Sequence, residues 1–296
     1  MANLKEVRNR IASVSPTQQI TKAMKMVSAA KLKRATGAIV QLRPYANKLR
    51  DILANVSSSV EQGASPYTVD RKPDQVLVVV ITSNRGLAGA FNANAIKAAV
   101  QLMNTQYASQ QKAGQLSVMA IGKKGFDYFS KRGYQMAGNH SEVFSELNFE
   151  NVSRITTEIM EAFVVGQFDR VELVYNQFKN AAVQILTTEQ LLPLLPPAEE
   201  ASAASSGQLA DYIIEPSNET IVQELIPKAV KTQLYKAVLD SHASEHGARM
   251  TAMDKATDNA GELLKSLKLS YNQARQAAIT TELTEIVSGA AALSAG

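Results

Sequence analysis

The sequence contains no cysteine and no tryptophan, and aromatic residues make up only 6% of it. Without cysteine there is no disulfide, no thiolate-bound zinc and no iron–sulfur cluster, which suits a reducing compartment. With few aromatics, Ala, Leu, Val and Met must supply the packing, and these residues favour contact between helices. No segment approaches the ~20 apolar residues that a membrane-spanning helix requires. The opening MANLKEVRNRIASV has no apolar stretch ahead of its charges, so it does not read as a secretory signal. A soluble or peripheral protein is expected.

Acidic residues are also scarce where basic ones are dense. The net charge of +4 conceals a surplus confined to residues 1–60, which carry eleven Lys or Arg against two acids. The same segment has a single glycine, Gly37, and two prolines, Pro16 and Pro44. Its apolar residues follow a heptad through Leu4, Val7, Ile11 and Val14, and again through Leu32, Ala35, Ile39, Leu42, Ala46, Leu49, Leu53, Val56 and Val60. This spacing is the seam of a coiled coil. Between the two stretches the seam positions become Gln18, Thr21, Lys25 and Ser28, while apolar residues occur at Ile20, Ala23, Met24, Val27 and Ala30. The pattern predicts a shift of phase there, beginning at Pro16, where the helix is expected to bend or loosen.

The middle of the chain changes period. QVLVVVIT (75–82) is an unbroken apolar, β-branched run and predicts a strand buried on both faces. A turn, SNRGLAGAFN (83–92), leads into a helix to about residue 112. LSVMAIG (116–122), VELVYNQF (171–178) and AVQILTTEQLLPL (182–194) are further strands, with helices over 123–132 and 150–166. Alternating strands and helices predict an α/β domain with a largely parallel sheet. PPAEEASAASSGQ (196–208) reads as a loop and DYIIEP (211–216) as a last strand. From Ser217, a candidate N-cap, the pattern is helical to about Ser288, with Pro227 either kinking the helix or restarting it. Its seam runs Met250, Met253, Thr257, Ala260, Leu264, Leu267, Tyr271, Ala274 and Ala278, then shifts to Ile279, Leu283, Ile286 and Ala290.

Helices of this length, ~90 Å at ~1.5 Å per residue, exceed the ~20 Å radius of a compact chain of this size. They must project, and each needs a partner for its apolar stripe. The fold class expected is therefore α/β: a long antiparallel coiled coil of the N- and C-terminal helices with an inserted Rossmann-like α/β domain. The divisions are 1–60, 75–215 and 217–288.

Catalytic and ligand motifs are incomplete. SNRGLAGAFN supplies only Gly86 and Gly89 of a dinucleotide fingerprint, and the Lys-Ser/Thr of a P-loop is missing. IGKKG (121–125) fares no better. His242 and His246 stand four apart on a helix and could share a metal, but no third ligand stands out; a solvent-facing or partner-facing role is expected. No cofactor is expected. The cationic run Lys22, Lys25, Lys31, Lys33 and Arg34 has no acid within it, so it calls for an acidic partner. Nucleic-acid binders add stacking or base-reading residues, and this run has no aromatic before Tyr45.

Four segments, in order, resemble the γ subunit of F-type ATP synthases of the bacterial type. They are RNRIASVSPTQQITKAMKMVSAAKLKRA (8–35), SNRGLAGAFN (83–92), SEHGARMTAMDKATDNA (244–260) and YNQARQAAITTELTEIVSGAAAL (271–293). The last holds the terminal signature Ile279, Thr280, Glu282, Glu285, Gly289 and Ala290. The chain departs from the family at Asn84, usually Asp, and at Ala88 and Ala90, often Cys and Gly. The cysteine insert of the chloroplast type is absent.

The resemblance implies a rotor shaft with no catalytic residue of its own, turned by ion flow and driving the catalytic β subunits. Its implied partners are three α and three β subunits, the ε subunit and the membrane ring of c subunits, with no nucleic acid and no direct membrane insertion. It implies contact with the α/β ring through Lys22, Met24, Lys25, Lys31, Lys33, Arg275, Gln276, Thr280 and Glu282, and a place on the cytoplasmic side of the bacterial membrane. Two rival classes remain from the residues alone: a Rossmann-like enzyme, which nucleotide binding would reveal, and a nucleic-acid-binding coiled coil, which steeply salt-dependent affinity would reveal.

Overall fold

A computed structural model describes residues 4–57, 65–194 and 218–294. The segments read as a loop (196–208) and a strand (211–216), and the capping Ser217, lie outside the described residues. The chain divides into two compact units, Ala29–Arg249, and Met1–Ser28 with Met250–Gly296. Two helices, α1 (Leu4–Ser57) and α6 (Asn218–Ser294), run through both. Neither is interrupted at its prolines: α1 continues through Pro16 and Pro44, and α6 through Pro227 without restarting.

Unit Ala29–Arg249 is built on five strands: β1 (Val76–Ile81), β2 (Leu116–Ile121), β3 (Gln135–Asn139), β4 (Arg170–Phe178) and β5 (Gln184–Leu192). Their order is β3-β2-β1-β4-β5; the first four are parallel and β5 pairs antiparallel with β4. Central β1 shows why its sequence has no polar alternation, since all six of its residues are fully buried. Successive side chains point to opposite faces. Leu77, Val79 and Ile81 pack with Ile155, Ile159 and Phe163 of α5 (Phe149–Val164) and with Val230, Leu234 and Val238 of α6. Val76, Val78 and Val80 pack with Ile96, Ala99 and Met103 of α2 (Phe91–Thr105) and with Phe129 of α4 (Lys123–Lys131). Each such side chain contributes ~1.5–3 kcal/mol by leaving water, so this sandwich holds the unit together. In this unit α1 adds Ala35 and Ile39 against Leu239 and Ala243 of α6, and Leu49 against Ile226.

Two local features depart from the sequence pattern. The helix expected to run to residue 112 breaks after Thr105 and resumes as α3 (Ala108–Lys112). The break lets Tyr107 turn inward, where its hydroxyl donates to Glu172 Oε1 at 2.6 Å in a buried site. Desolvation raises the pKa of both partners; the bond that the neutral phenol makes to the carboxylate offsets part of that cost. Strand β3, which the residues QMAGN do not announce, forms because the outer edge of β2 offers an unpaired ladder.

In the unit of Met1–Ser28 and Met250–Gly296, α1 and α6 pair antiparallel. Arg8 donates to the Tyr271 hydroxyl at 3.1 Å, Thr257 Oγ1 to Thr21 Oγ1 at 2.8 Å, and Lys25 meets Asp254. Gly261 faces Gln18: a Cβ there would lie 2.8 Å from the amide nitrogen. Residue numbers rise on one helix as they fall on the other. The buried or half-buried positions are those of the heptad, with Val7, Met253, Ala260 and Leu264 at its centre.

The expected shift of phase does not occur. Gln18, Thr21, Lys25 and Ser28 remain on the inner face, and Ser28 is only 2% exposed. Ile20 and Val27 are each 58% exposed. Register fixed by polar partners across the seam overrides the burial of the displaced apolar stripe.

Gly122 offers a sharp test of the sheet unit. Its φ is 121°, and a Cβ would sit 2.1 Å from the Thr82 carbonyl oxygen. Gly122→Ala is expected to cost about 2–5 kcal/mol from strain and overpacking. Gly37→Ala, on a helix with nothing within 4 Å, is expected to gain about 0.5–1 kcal/mol. Urea unfolding followed by circular dichroism distinguishes them; equal midpoints for the two variants would contradict this account.

Candidate functional site

The cationic stretch of α1 divides into two kinds of side chain. Lys22, Lys31, Lys33 and Arg34 are exposed, and Met24 is half-buried. Lys25 does not face outward as a free charge: it lies on the seam and pairs with Asp254 of α6, the two side chains 41% and 48% exposed. A charge on an inner position needs its counter-charge within reach, and the antiparallel register brings Asp254 there. At this exposure the pair is worth only ~0.2–1 kcal/mol. Beside the lysines stand the outward apolar residues Ile20, Val27 and Met26, the last 61% exposed. The outer face of this stretch is therefore apolar and cationic together.

The far end of α6 lacks a helical partner among the described residues. Since Arg8 meets Tyr271, Leu4 stands opposite the turn around Arg275. The helix nevertheless continues to Ser294, a further ~24 Å past Ala278 at ~1.5 Å per residue. Arg275, Gln276, Thr280 and Glu282 are all exposed, with the Thr280 hydroxyl bonded to the Gln276 carbonyl at 2.9 Å. Ile279, Leu283 and Ile286, expected as a shifted seam, are 48%, 57% and 67% exposed, and Val287 and Leu293 are 66% and 87% exposed. They are not a seam because no described residue of α1 reaches them. A lone helix of this length is marginal in water, and this one presents apolar residues on several sides.

The strand order creates a switch point between β1 and β4, where doubly wound sheets hold nucleotides beyond the carboxyl ends of their strands. Here that crevice holds part of α6. Ser244 Oγ donates to the Asn176 carbonyl of β4 at 3.0 Å, and Gly247 lies so close to the β4–β5 turn that a Cβ would be 3.0 Å from the Ala181 carbonyl oxygen. Arg249 donates to the carbonyls of Arg85 and Gly86 in the turn after β1. A phosphate site would aim backbone N–H groups at an anion. This turn instead directs carbonyls at a guanidinium, and the Ser83 N–H is taken by Asn92 Oδ1 at 2.9 Å. Sequence reading gave Glu245 and Arg249 no role: they lie in the family-like segment 244–260 but in no catalytic or ligand motif, and their spacing of four on a helix is the cue to their pairing.

His242 and His246 are not solvent-facing as expected. His246 is 5% exposed, its Nε2 is 3.1 Å from that of His242, and the His242 ring stacks on Phe144. Burial, aided by Lys31, lowers His242 to about 4; burial, with His242, Lys31 and Arg249, lowers His246 to about 3. Among the described residues no cluster of three or more potential metal-binding side chains occurs.

Because folding depresses these two pKa values, the unfolded chain binds more protons below pH 6.5. Their contribution to stability is full above pH 6.5 and is lost as pH falls toward 4 and 3, by at most ~1.4 kcal/mol per pH unit each. Glu172, Asp240 and Glu245, raised by burial, act in the opposite sense. Only a difference isolates the histidines: unfolding free energies of the parent and of His242→Gln/His246→Gln are expected to draw together or cross between pH 7 and 4, in favour of the variant. A difference constant over that range would show the pair does not titrate this way.

The family described as ATP synthase matches residues 3–293. The ATP synthase gamma chain of Flavobacterium johnsoniae is 58% identical over 294 residues, covering 99% of both chains. That of Chlorobaculum tepidum is 47% identical with the same coverage. Among solved structures, the central stalk and c-ring of Tetrahymena thermophila mitochondrial ATP synthase matches at 26% identity and a TM-score of 0.57, covering 80% of this chain and 99% of that one. The rotor of Euglena gracilis mitochondrial ATP synthase shares the fold, with a TM-score of 0.66 at 22% identity over 93% of this chain and 98% of that one. With the paired terminal helices, the inserted mixed sheet and near-complete coverage by relatives, the chain belongs to the gamma chain family of ATP synthase.

Proposed function

We propose that this chain is the central shaft of a rotary ATP synthase, transmitting rotation of a membrane c-ring to the catalytic β subunits. The observation that carries the reading is the terminal stretch of α6, about 24 Å of helix with Ile279, Leu283, Ile286, Val287 and Leu293 exposed and, among the described residues, no second helix beside it. A sleeve of three α and three β subunits would cover it, and the exposed Arg275, Gln276, Thr280 and Glu282 would make its polar contacts. Arg275 can grip a carboxylate bidentately.

Lower on α1, Lys22, Lys31 and Lys33 would meet acidic β-subunit loops, with Ile20, Met26 and Val27 packing beside them. Met24 and Lys25 contribute from the flank, Lys25 already sharing its charge with Asp254. ATP chemistry belongs to the β subunits; the chain itself is a non-catalytic part. An ε subunit and the c-ring complete its partners. Among the described residues no helix is long and apolar enough to cross a membrane, consistent with a peripheral position on the cytoplasmic side of a bacterial membrane.

Charge reversal tests the cationic face. Lys22→Glu/Lys31→Glu/Lys33→Glu together is expected to reduce assembly or ATP-driven ion pumping at least several-fold. Each single change should be mild, as exposed pairs are worth ~0.2–1 kcal/mol each. Normal coupling in the triple variant would remove the acidic-partner idea.

Rotation is tested by cross-linking. Ser28, on the seam and 2% exposed, is unsuited; Val27, 58% exposed, is suited. In the cysteine-free chain, Val27→Cys is paired with one cysteine on a facing β-subunit loop whose Cα comes within ~7 Å. Oxidation is expected to stop multisite ATP turnover and reduction to restore it. Full turnover with complete cross-linking would refute a rotating shaft.

A further inference from the structure

The seat of α6 in the switch-point crevice is more elaborate than packing requires. Over residues 244–249 the helix touches three separate parts of the sheet unit. Ser244 binds β4 through the Asn176 carbonyl, and Gly247 lies against the Ala181 backbone. Arg249 binds the carbonyls of Arg85 and Gly86. The Arg249 guanidinium is itself held by Glu245, one turn back, at 2.6 Å, with both side chains about one-tenth exposed. A planar guanidinium presents its donors in a fixed fork, so three acceptors define its position in a way one ammonium could not.

The turn it grips is rigid on its own account. Asn92 bonds Ser83, the Asn84 amide donates to the Ser141 carbonyl at 2.8 Å, and Asn84 Oδ1 accepts from the Lys123 N–H at 3.0 Å. Leu87, at its crest, is held at φ 65° and is 67% exposed. A non-glycine residue in this region persists only where its surroundings over-determine it.

We propose that this three-point seat, with Arg249 as its principal positioning residue, is the joint at which the α/β domain grips α6 against twist. The inference rests on the rotating-shaft reading. Torque between the sheet unit and α6 acts at a radius from the helix axis. Apolar contacts resist separation but, being non-directional, give little resistance to sliding around that axis. Directional hydrogen bonds to carbonyls on two sides of the crevice do resist it. The contacts of the joint all lie within unit Ala29–Arg249. The same residues close the crevice to a nucleotide.

The test measures stiffness in the assembled complex. The ATP synthase is immobilised through its β subunits, and a bead is attached to a unique cysteine at Val165, which is 79% exposed. Angular fluctuation is recorded with the motor stalled. Arg249→Met is expected to raise the angular variance at least two-fold. Arg154→Met, which removes a surface pair to Glu150 with side chains 70% and 75% exposed, should leave it unchanged. Should the methionine variant fail to assemble, Arg249→Lys carries the same expectation. Variance equal to the parent's in a complex that still rotates would overturn the joint. A parent complex whose bead does not rotate with ATP would instead overturn the shaft reading.

Discussion

A helix with an apolar stripe must find cover for it, and most of this fold follows from how α6 does so along its 77 residues. Near its start Val230, Leu234 and Val238 lie on the sheet. Leu239 and Ala243 then meet Ala35 and Ile39 of α1. Met253, Ala260 and Leu264 form the inner line of the antiparallel pair. Past Ala278 no described residue of the chain lies opposite. The cover changes from sheet to helix to nothing, and the composition does not become more polar as the cover runs out. Most of the stability of a helix in a protein comes from packing of its apolar face. A terminal stretch that keeps its apolar residues with no partner helix among the described residues is a surface suited to a partner subunit.

The polar section of the seam is the complement of this. Gln18, Thr21 and Lys25 occupy positions where Leu or Ile would bury more area, and each faces a matched neighbour: Gly261, Thr257 and Asp254. Such pairs add little net stability, since hydrogen bonds and half-exposed ion pairs mostly replace bonds to water. What they add is register, as polar residues at seam positions do in coiled coils generally. They also release the apolar residues of the same stretch, Ile20, Met26 and Val27, to the outside.

The sheet and both long helices were legible because each rests on a strong periodic signal. β1 is an unbroken apolar run, and the α6 seam from Met250 to Ala278 alternates three and four throughout. What was illegible depended on partners distant in sequence. β3 exists because of the edge of β2, not because QMAGN favours a strand. The break at Tyr107 exists because Glu172 is there to receive it. The supposed phase shift at Gln18–Ser28 followed apolar spacing alone, which cannot see that the polar residues have partners across the pair. Lys22, Lys31 and Lys33 are exposed; Lys25, which the heptad spacing already set on the seam, is paired with Asp254, a partner that charge density alone could not supply. Arg249 and Glu245 belong to no catalytic or ligand motif, so the joint they form could not be read before the crevice was seen.

The crevice also shows how one topology serves unlike ends. The order β3-β2-β1-β4-β5 opens the same cleft that nucleotide-binding sheets use, and a glycine-bearing turn follows β1 here as it does there. The difference lies in which backbone groups that turn presents. A turn with free N–H groups favours an anion, and one with inward carbonyls favours a cation. This chain supplies the cation from its own helix, as the guanidinium of Arg249. A fold-level comparison would assign a nucleotide to the cleft; the direction of a few peptide dipoles assigns it to a helix. Fold therefore does not determine function, and in this protein the group occupying the cleft distinguishes a ligand site from a mechanical one.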